Sequence, residues 1–142
     1  MGAEVKEGSL GTEIPMLGQS ECNWDLVDPI DEQDGKIWIR SLQLVLIQEK
    51  GMDAELRKNG TSAASQFDAF RANLTGTTTD LNGLGDRAFL NGVGLHLLKG
   101  KVYVQLYSAN QVAASFGTLE PEEMVKAQEA ARAFGEKIVD KI

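Results

Sequence analysis

A single histidine, His96, and a single cysteine, Cys22, are all that this 142-residue chain offers to imidazole and thiol chemistry. That scarcity excludes a zinc centre built from several Cys and His ligands, a redox thiol pair and any intramolecular disulfide. A nucleophilic triad would have to run through His96, and no serine elbow lies beside it. Long apolar runs are missing too. The longest, Leu44-Val-Leu-Ile47, falls far short of the roughly 20 residues that a membrane-spanning helix needs. The first residues hold no leader-like segment, and Lys6 stands where a myristoylation motif requires Ser or Thr.

Basic charge is scarce where acid is dense. Residues 1–34 carry nine Asp and Glu against one Lys, within a net charge of −7. No basic footprint exists for neutralising phosphates, so nucleic acid and anionic lipid are disfavoured as partners. The acidic run from Asp25 to Asp34 does not make a calcium loop. With Gly35 at the sixth position, Ile30 falls where the first carboxylate belongs and Ser41 where the last must be. No cofactor is expected. Gly83-Leu-Gly85 precedes a strand and lacks a third glycine opening a helix, so it is not a dinucleotide fingerprint. Its role is backbone geometry, with Asp86 bonding local amides or pairing with Arg87. Asn59-Gly-Thr61 and Asn73-Leu-Thr75 fit the glycosylation pattern, which is short enough to arise by chance.

What is present has the composition of a soluble globular domain, 42% apolar and 25% charged. Residues 1–20 read as a short helix at Ala3 to Gly8 and an irregular lead-in, and 21–142 as one α+β core. Glu21 to Val27 alternates as a strand, with Cys22, Trp24 and Leu26 inward, and Pro29 ends it. Asp34-Gly35 marks a hairpin, followed by a second strand from Ile37 to Gln48 that is apolar on both faces at its centre. Gly51 to Leu74 reads as helical with a break at Asn59-Gly60, where Thr61 or Ser62 caps the second segment. Ala63, Ala64, Phe67, Phe70 and Leu74 form its apolar stripe. Thr75 to Asn82 reads as a loop, Arg87 to Leu90 as a strand and Asn91-Gly92 as a turn.

Val93 to Ser108 then reads as a hairpin turning at Lys99-Gly100, with His96 opposite Tyr103. Alternation sends Val93, Leu95, Leu97, Val102, Val104 and Leu106 into the core. His96, Tyr103, Gln105 and Tyr107 form an outer face, with Trp38 joining them from the second strand. Tyr and Trp combine an apolar body with a hydrogen-bonding tip, which suits contact with a ligand or partner. Asn110 to Gly117 leads to a last helix from Pro121, whose stripe is Met124, Ala127, Ala131, Phe134, Ile138 and Ile142. The expected order is β-β-α-β-β-β-α: a mainly antiparallel sheet of about five strands, with two principal helices on one face.

Three landmarks, Glu4-Val-Lys-Glu-Gly-Ser-Leu-Gly11, Ser20-Glu-Cys-Asn-Trp24 and Gly83-Leu-Gly-Asp-Arg-Ala88, precede a hairpin and an Ala-rich terminal helix. Together they resemble the DUF3558-like extracytoplasmic lipoprotein domains of bacteria. The resemblance implies a binding or envelope-associated module whose leader and lipid-bearing cysteine precede the folded part. The Cys-x-Trp cysteine of that family often pairs with a second cysteine, which this chain lacks. The reading is thus a non-enzymatic extracytoplasmic domain that binds a protein or small ligand through His96, Tyr103, Tyr107 and Trp38, with no catalytic residue. An acidic inhibitor or immunity-type protein that neutralises a basic enzyme is the second reading, and a small hydrolase using His96 the third.

Overall fold

The computed structural model describes residues 7–11, 13–33, 36–92, 94–112 and 121–142. Seven strands form one antiparallel sheet: β1 (Ser9–Leu10), β2 (Leu17–Gln33), β3 (Lys36–Met52), β4 (Thr78–Asp80), β5 (Arg87–Asn91), β6 (Gly94–Lys99) and β7 (Val102–Val112). Their spatial order is β1-β2-β3-β7-β6-β5-β4. Three helices accompany them, α1 (Ala54–Lys58), α2 (Ala63–Asn73) and α3 (Pro121–Val139). The α+β class with antiparallel pairing is as the sequence predicts. The strand count, the order of elements and the placement of the helices are not.

Two strands escape pattern reading. β1 replaces part of the expected lead-in by pairing Ser9 with Asn23 and Leu10 with Cys22; the weak turn expected at Ala3 to Gly8 falls largely outside the described residues. β4 lies inside the expected loop, pairing Thr79 with Leu90 along the far edge. Both are short and polar or exposed, so backbone pairing with a longer neighbour makes them strands. Pro29 does not end β2. The register slips between Asp25 and Ile30, and a bulge near the sheet edge accommodates a residue with no N–H to donate. Gln33 pairs with Lys36 across the expected Asp34-Gly35 turn, which itself lies outside the described residues.

β3 is central, as its apolar run requires. Leu42, Leu44 and Leu46 face one side with Trp24, Leu95, Leu97, Val104 and Leu106, and α3 closes that side with Ala131, Phe134 and Ile138, joined by Ile142 beyond its end. Val45 and Ile47 face the other side with Phe89, Leu98 and Tyr103, and α2 closes it with Ala63, Phe67, Phe70 and Leu74. The two helices therefore lie on opposite faces, where the sequence suggested one. The reason is topological. β3 sits beside β7 while β4 is at the far edge, so the chain must cross the sheet between them, and α2 makes that crossing. The α2 stripe packs as expected, as do Ala131, Phe134 and Ile138 of the α3 stripe; the face under α2 is the correction. Burial of Phe67, 1% exposed, and its neighbours contributes about 1.5–3 kcal/mol for each large side chain.

α2 is well anchored. Ser62 and Ser65 form a reciprocal capping box at 3.0 and 2.8 Å. Arg87 grips Asp68 with both guanidinium nitrogens at 2.6 and 3.3 Å and lies 4.9 Å over the Phe67 ring. Arg71 reaches Asp80 at 2.8 Å and lies 5.1 Å over Phe89. Asp86 accepts the Gly100 amide at 2.6 Å rather than pairing with Arg87. That bond accompanies a register different from the one expected. The turn is Gly100-Lys101, with Lys99 opposite Val102 and His96 opposite Gln105, because Gly100 supplies the positive φ of 55° at the first turn position. Partners move by two residues, so the division into faces survives; Val93 lies outside the described residues.

Gly85 carries the tightest glycine requirement in this region. Its φ is +61°, and a Cβ there would stand 2.5 Å from Leu97 Cδ1 and 2.7 Å from the Leu98 carbonyl oxygen. Gly83 has φ +77° but nothing within 4 Å. Gly85→Ala should lower unfolding free energy by about 2–4 kcal/mol and Gly83→Ala by only about 1 kcal/mol. Equal losses in urea titrations would refute the close-approach account.

Candidate functional site

The face expected to be open is half covered. His96 and Tyr103 are both 0% exposed, which corrects their assignment to an outer surface. α2 lays Phe70 4.5 Å from the imidazole centroid, while Phe89 of β5 stacks on it at 4.6 Å with an interplanar angle of 15°. Phe67 meets Phe89 and Tyr103 edge to face at 5.2 and 5.4 Å, the geometry that aromatic quadrupoles favour. Tyr107 remains half-exposed and meets the imidazole edge to face at 5.6 Å. Trp38 sits in β3 opposite Asp31 and Val112, and its side chain lies outside what is described. His96, Tyr103 and Tyr107 are thus brought together as expected, but as one buried pair and one rim residue.

His96 Nδ1 and the Tyr103 hydroxyl share a hydrogen bond of 2.9 Å, its direction set by the imidazole tautomer. Nε2 is buried with no hydrogen-bond partner among the described residues. Burial lowers the His96 pKa from 6.5 to about 4, because an imidazolium here would lose its hydration without gaining a counter-charge. Burial first, then the neighbouring Tyr107, raises the Tyr103 phenol against the opposing hydrogen bond of Gln105. The Tyr107 phenol is pushed up to about 12 by burial. At neutral pH all three rings are uncharged. As placed, the imidazole has no access to a substrate.

Beyond α2 the same sheet face continues as a polar ladder. The cross-strand partners Asn23, Gln43 and Tyr107 form one row, and Glu21, Val45 and Gln105 the next. Glu21 Oε1 accepts from Asn23 at 2.8 Å and from Gln43 at 2.9 Å, and the Tyr107 hydroxyl donates to Gln105 at 3.0 Å. Between this ladder and α2 opens a cleft of about 330 Å³, lined by Gln19, Gln66, Phe70, Asn73 and Gln105 over Ile47 and Tyr103. Apart from Gln105, the sequence reading missed these polar residues. Their signal was the alternation of Gln19, Glu21 and Asn23 opposite to Cys22 and Trp24 along β2. Cys22 is half-buried and unpaired.

Among the described residues, no group of three or more His, Cys, Asp or Glu is arranged to hold a metal ion, and no helix is long and apolar enough to cross a membrane. The site therefore defines a class by its geometry: an antiparallel α+β domain with a sealed aromatic and imidazole cluster beside an open, uncharged cleft. Comparison with family models, with curated proteins and with solved structures gives no match.

A pH dependence follows from the His96 environment. The unfolded chain takes up a proton at this residue below pH 6.5, and the folded chain only near pH 4. The His96 contribution to stability is therefore complete above pH 6.5, falls as pH drops toward 4, and levels off below. The loss amounts to about 3 kcal/mol. The difference in unfolding free energy between the parent chain and His96→Leu should shrink by that amount between pH 7 and 4. A constant difference would contradict the burial of a neutral imidazole.

Proposed function

We propose that this chain is a non-enzymatic extracytoplasmic domain that binds a protein or small ligand on the half of the sheet that α2 leaves open. The observation that carries the reading is the polar ladder itself. Glu21, Asn23, Gln43, Gln105 and Tyr107 are half-buried side chains from three adjacent strands, held in register by the sheet and by one another's hydrogen bonds. Preorganised polar groups of this kind lose little conformational freedom on binding. The Glu21 carboxylate spends one oxygen on its two neighbours, and Oε2 has no partner among the described residues. Tyr107 supplies a half-exposed aromatic ring at the centre, the residue type that most often anchors a contact.

The extracytoplasmic address, and with it a lipid anchor upstream, rests on the family resemblance. Burial of His96 withdraws support from a hydrolase that would use it as a base, since a general base must reach within hydrogen-bonding distance of the proton it removes. The binding role expected of four residues passes to Tyr107 and its polar neighbours, with His96 and Tyr103 as the packed support beneath.

The test is retention of a component of a bacterial envelope extract on the immobilised chain. Replacing Tyr107 and Gln43 together by Ala should abolish retention while unfolding free energy changes by no more than about 1–2 kcal/mol. Undiminished retention by that variant would overturn the assignment of the face.

A further inference from the structure

The cleft beside α2 has a chemistry of its own, and its ligand class follows from what lines it. Gln19 comes from β2, Gln66, Phe70 and Asn73 from α2, and Gln105 from β7. No Asp, Glu, Lys, Arg or His is among the lining residues. Tyr103, the one titratable group there, is held protonated by its burial. A charged ligand would give up its hydration and meet no charged group among the lining residues.

Four carboxamides from three elements converge on this space, each with an acceptor oxygen and a donor NH₂. Among the described residues the Gln19 and Gln66 amides have no side-chain partner. Among these residues Asn73 uses only Nδ2, on the Ala69 carbonyl at 2.7 Å, and the Gln105 oxygen accepts from Tyr107. Filling the cleft with a purely apolar ligand would leave those groups unpaired, which is unfavourable for each of them. Beneath the amides lie Ile47 and the Phe70 ring. The volume, about 330 Å³, is at the lower end of the range for small-molecule sites, room for a compact ring rather than an extended chain.

We propose that the cleft binds a neutral sugar of one or two rings, its hydroxyls exchanging hydrogen bonds with the Gln and Asn amides and one C–H face resting on Phe70. A hydroxyl both donates and accepts, as a carboxamide does, and a pyranose ring offers apolar and polar surfaces at right angles. This deepens the binding reading above and rests on it, but the two can fail separately, because retention of an envelope component presupposes no sugar.

The experiment is a side-chain amide NMR titration of the ¹⁵N-labelled full chain with glucose, N-acetylglucosamine and a neutral disaccharide. Glucosamine, glucuronic acid and a doubly capped dipeptide serve as comparators. Saturable shifts of the Gln66, Asn73 and Gln105 amides with a neutral sugar, stronger than with any comparator, support the proposal. Affinity for that sugar should fall about tenfold in Gln66→Leu/Asn73→Ala, which removes two amide partners. Absence of saturable shifts with all three neutral sugars overturns it, as does preference for a charged sugar or for the dipeptide. The ligand series on the parent chain decides this even if the double variant fails to fold.

Discussion

The architecture depends on one constraint: the inner strands of this sheet are apolar on both faces, so both must be taken out of water. Along β3, Val45 and Ile47 point to one side and Leu44 and Leu46 to the other. Along β6, Leu95 and Leu97 oppose His96 and Leu98 in the same way. One layer of helices would leave several large side chains hydrated, forfeiting about 25 cal/mol for each Å² left exposed. The chain solves this with its connections. α2 crosses one face on the way from β3 to the far edge, and α3 covers the other after β7 has returned beside β3.

That crossing decides the electrostatic character of the site. α2 seals the imidazole against Phe70 and Phe89, which leaves the ring neutral and its Tyr103 bond shielded from solvent. A hydrogen bond in such surroundings is strong, while Nε2, without a partner among the described residues, marks the limit of what the aromatic cluster satisfies. Arg71 and Arg87 hold the helix to β4 and β5 with ion pairs at its exposed rim, each guanidinium also lying over a buried ring. Individually such exposed pairs contribute little, about 0–1 kcal/mol. Their effect is geometric, keeping α2 over β5 to β7 and leaving the β2 side of the same face to polar residues.

Several local features were legible before any coordinates. The break at Asn59-Gly60 and the Ser62 cap, the stripes of α2 and α3, and the hairpin parity all rest on short-range rules that tertiary contacts did not override. The backbone-geometry role of Gly83-Leu-Gly85 belongs with them, and the structure gives it as positive φ at both glycines. The failures share a cause. Ser9–Leu10 and Thr78–Asp80 carry no apolar period, and become strands through backbone bonds to residues distant in sequence. The bulge that lets β2 pass Pro29 likewise depends on its partner β3.

Composition and periodicity alone determined the α+β class, the central place of β3, the inward set Leu95, Leu97, Val104 and Leu106, and the shared face of His96, Tyr103 and Tyr107. Alternation is a property of one strand, and so it can be read from one strand. Only the tertiary structure decided that this shared face is divided, with His96 and Tyr103 buried beneath α2 and Tyr107 at the border of an uncharged cleft. Which side of a sheet a helix covers depends on where the next strand joins. No local pattern records that β4 lies at the opposite edge from β1.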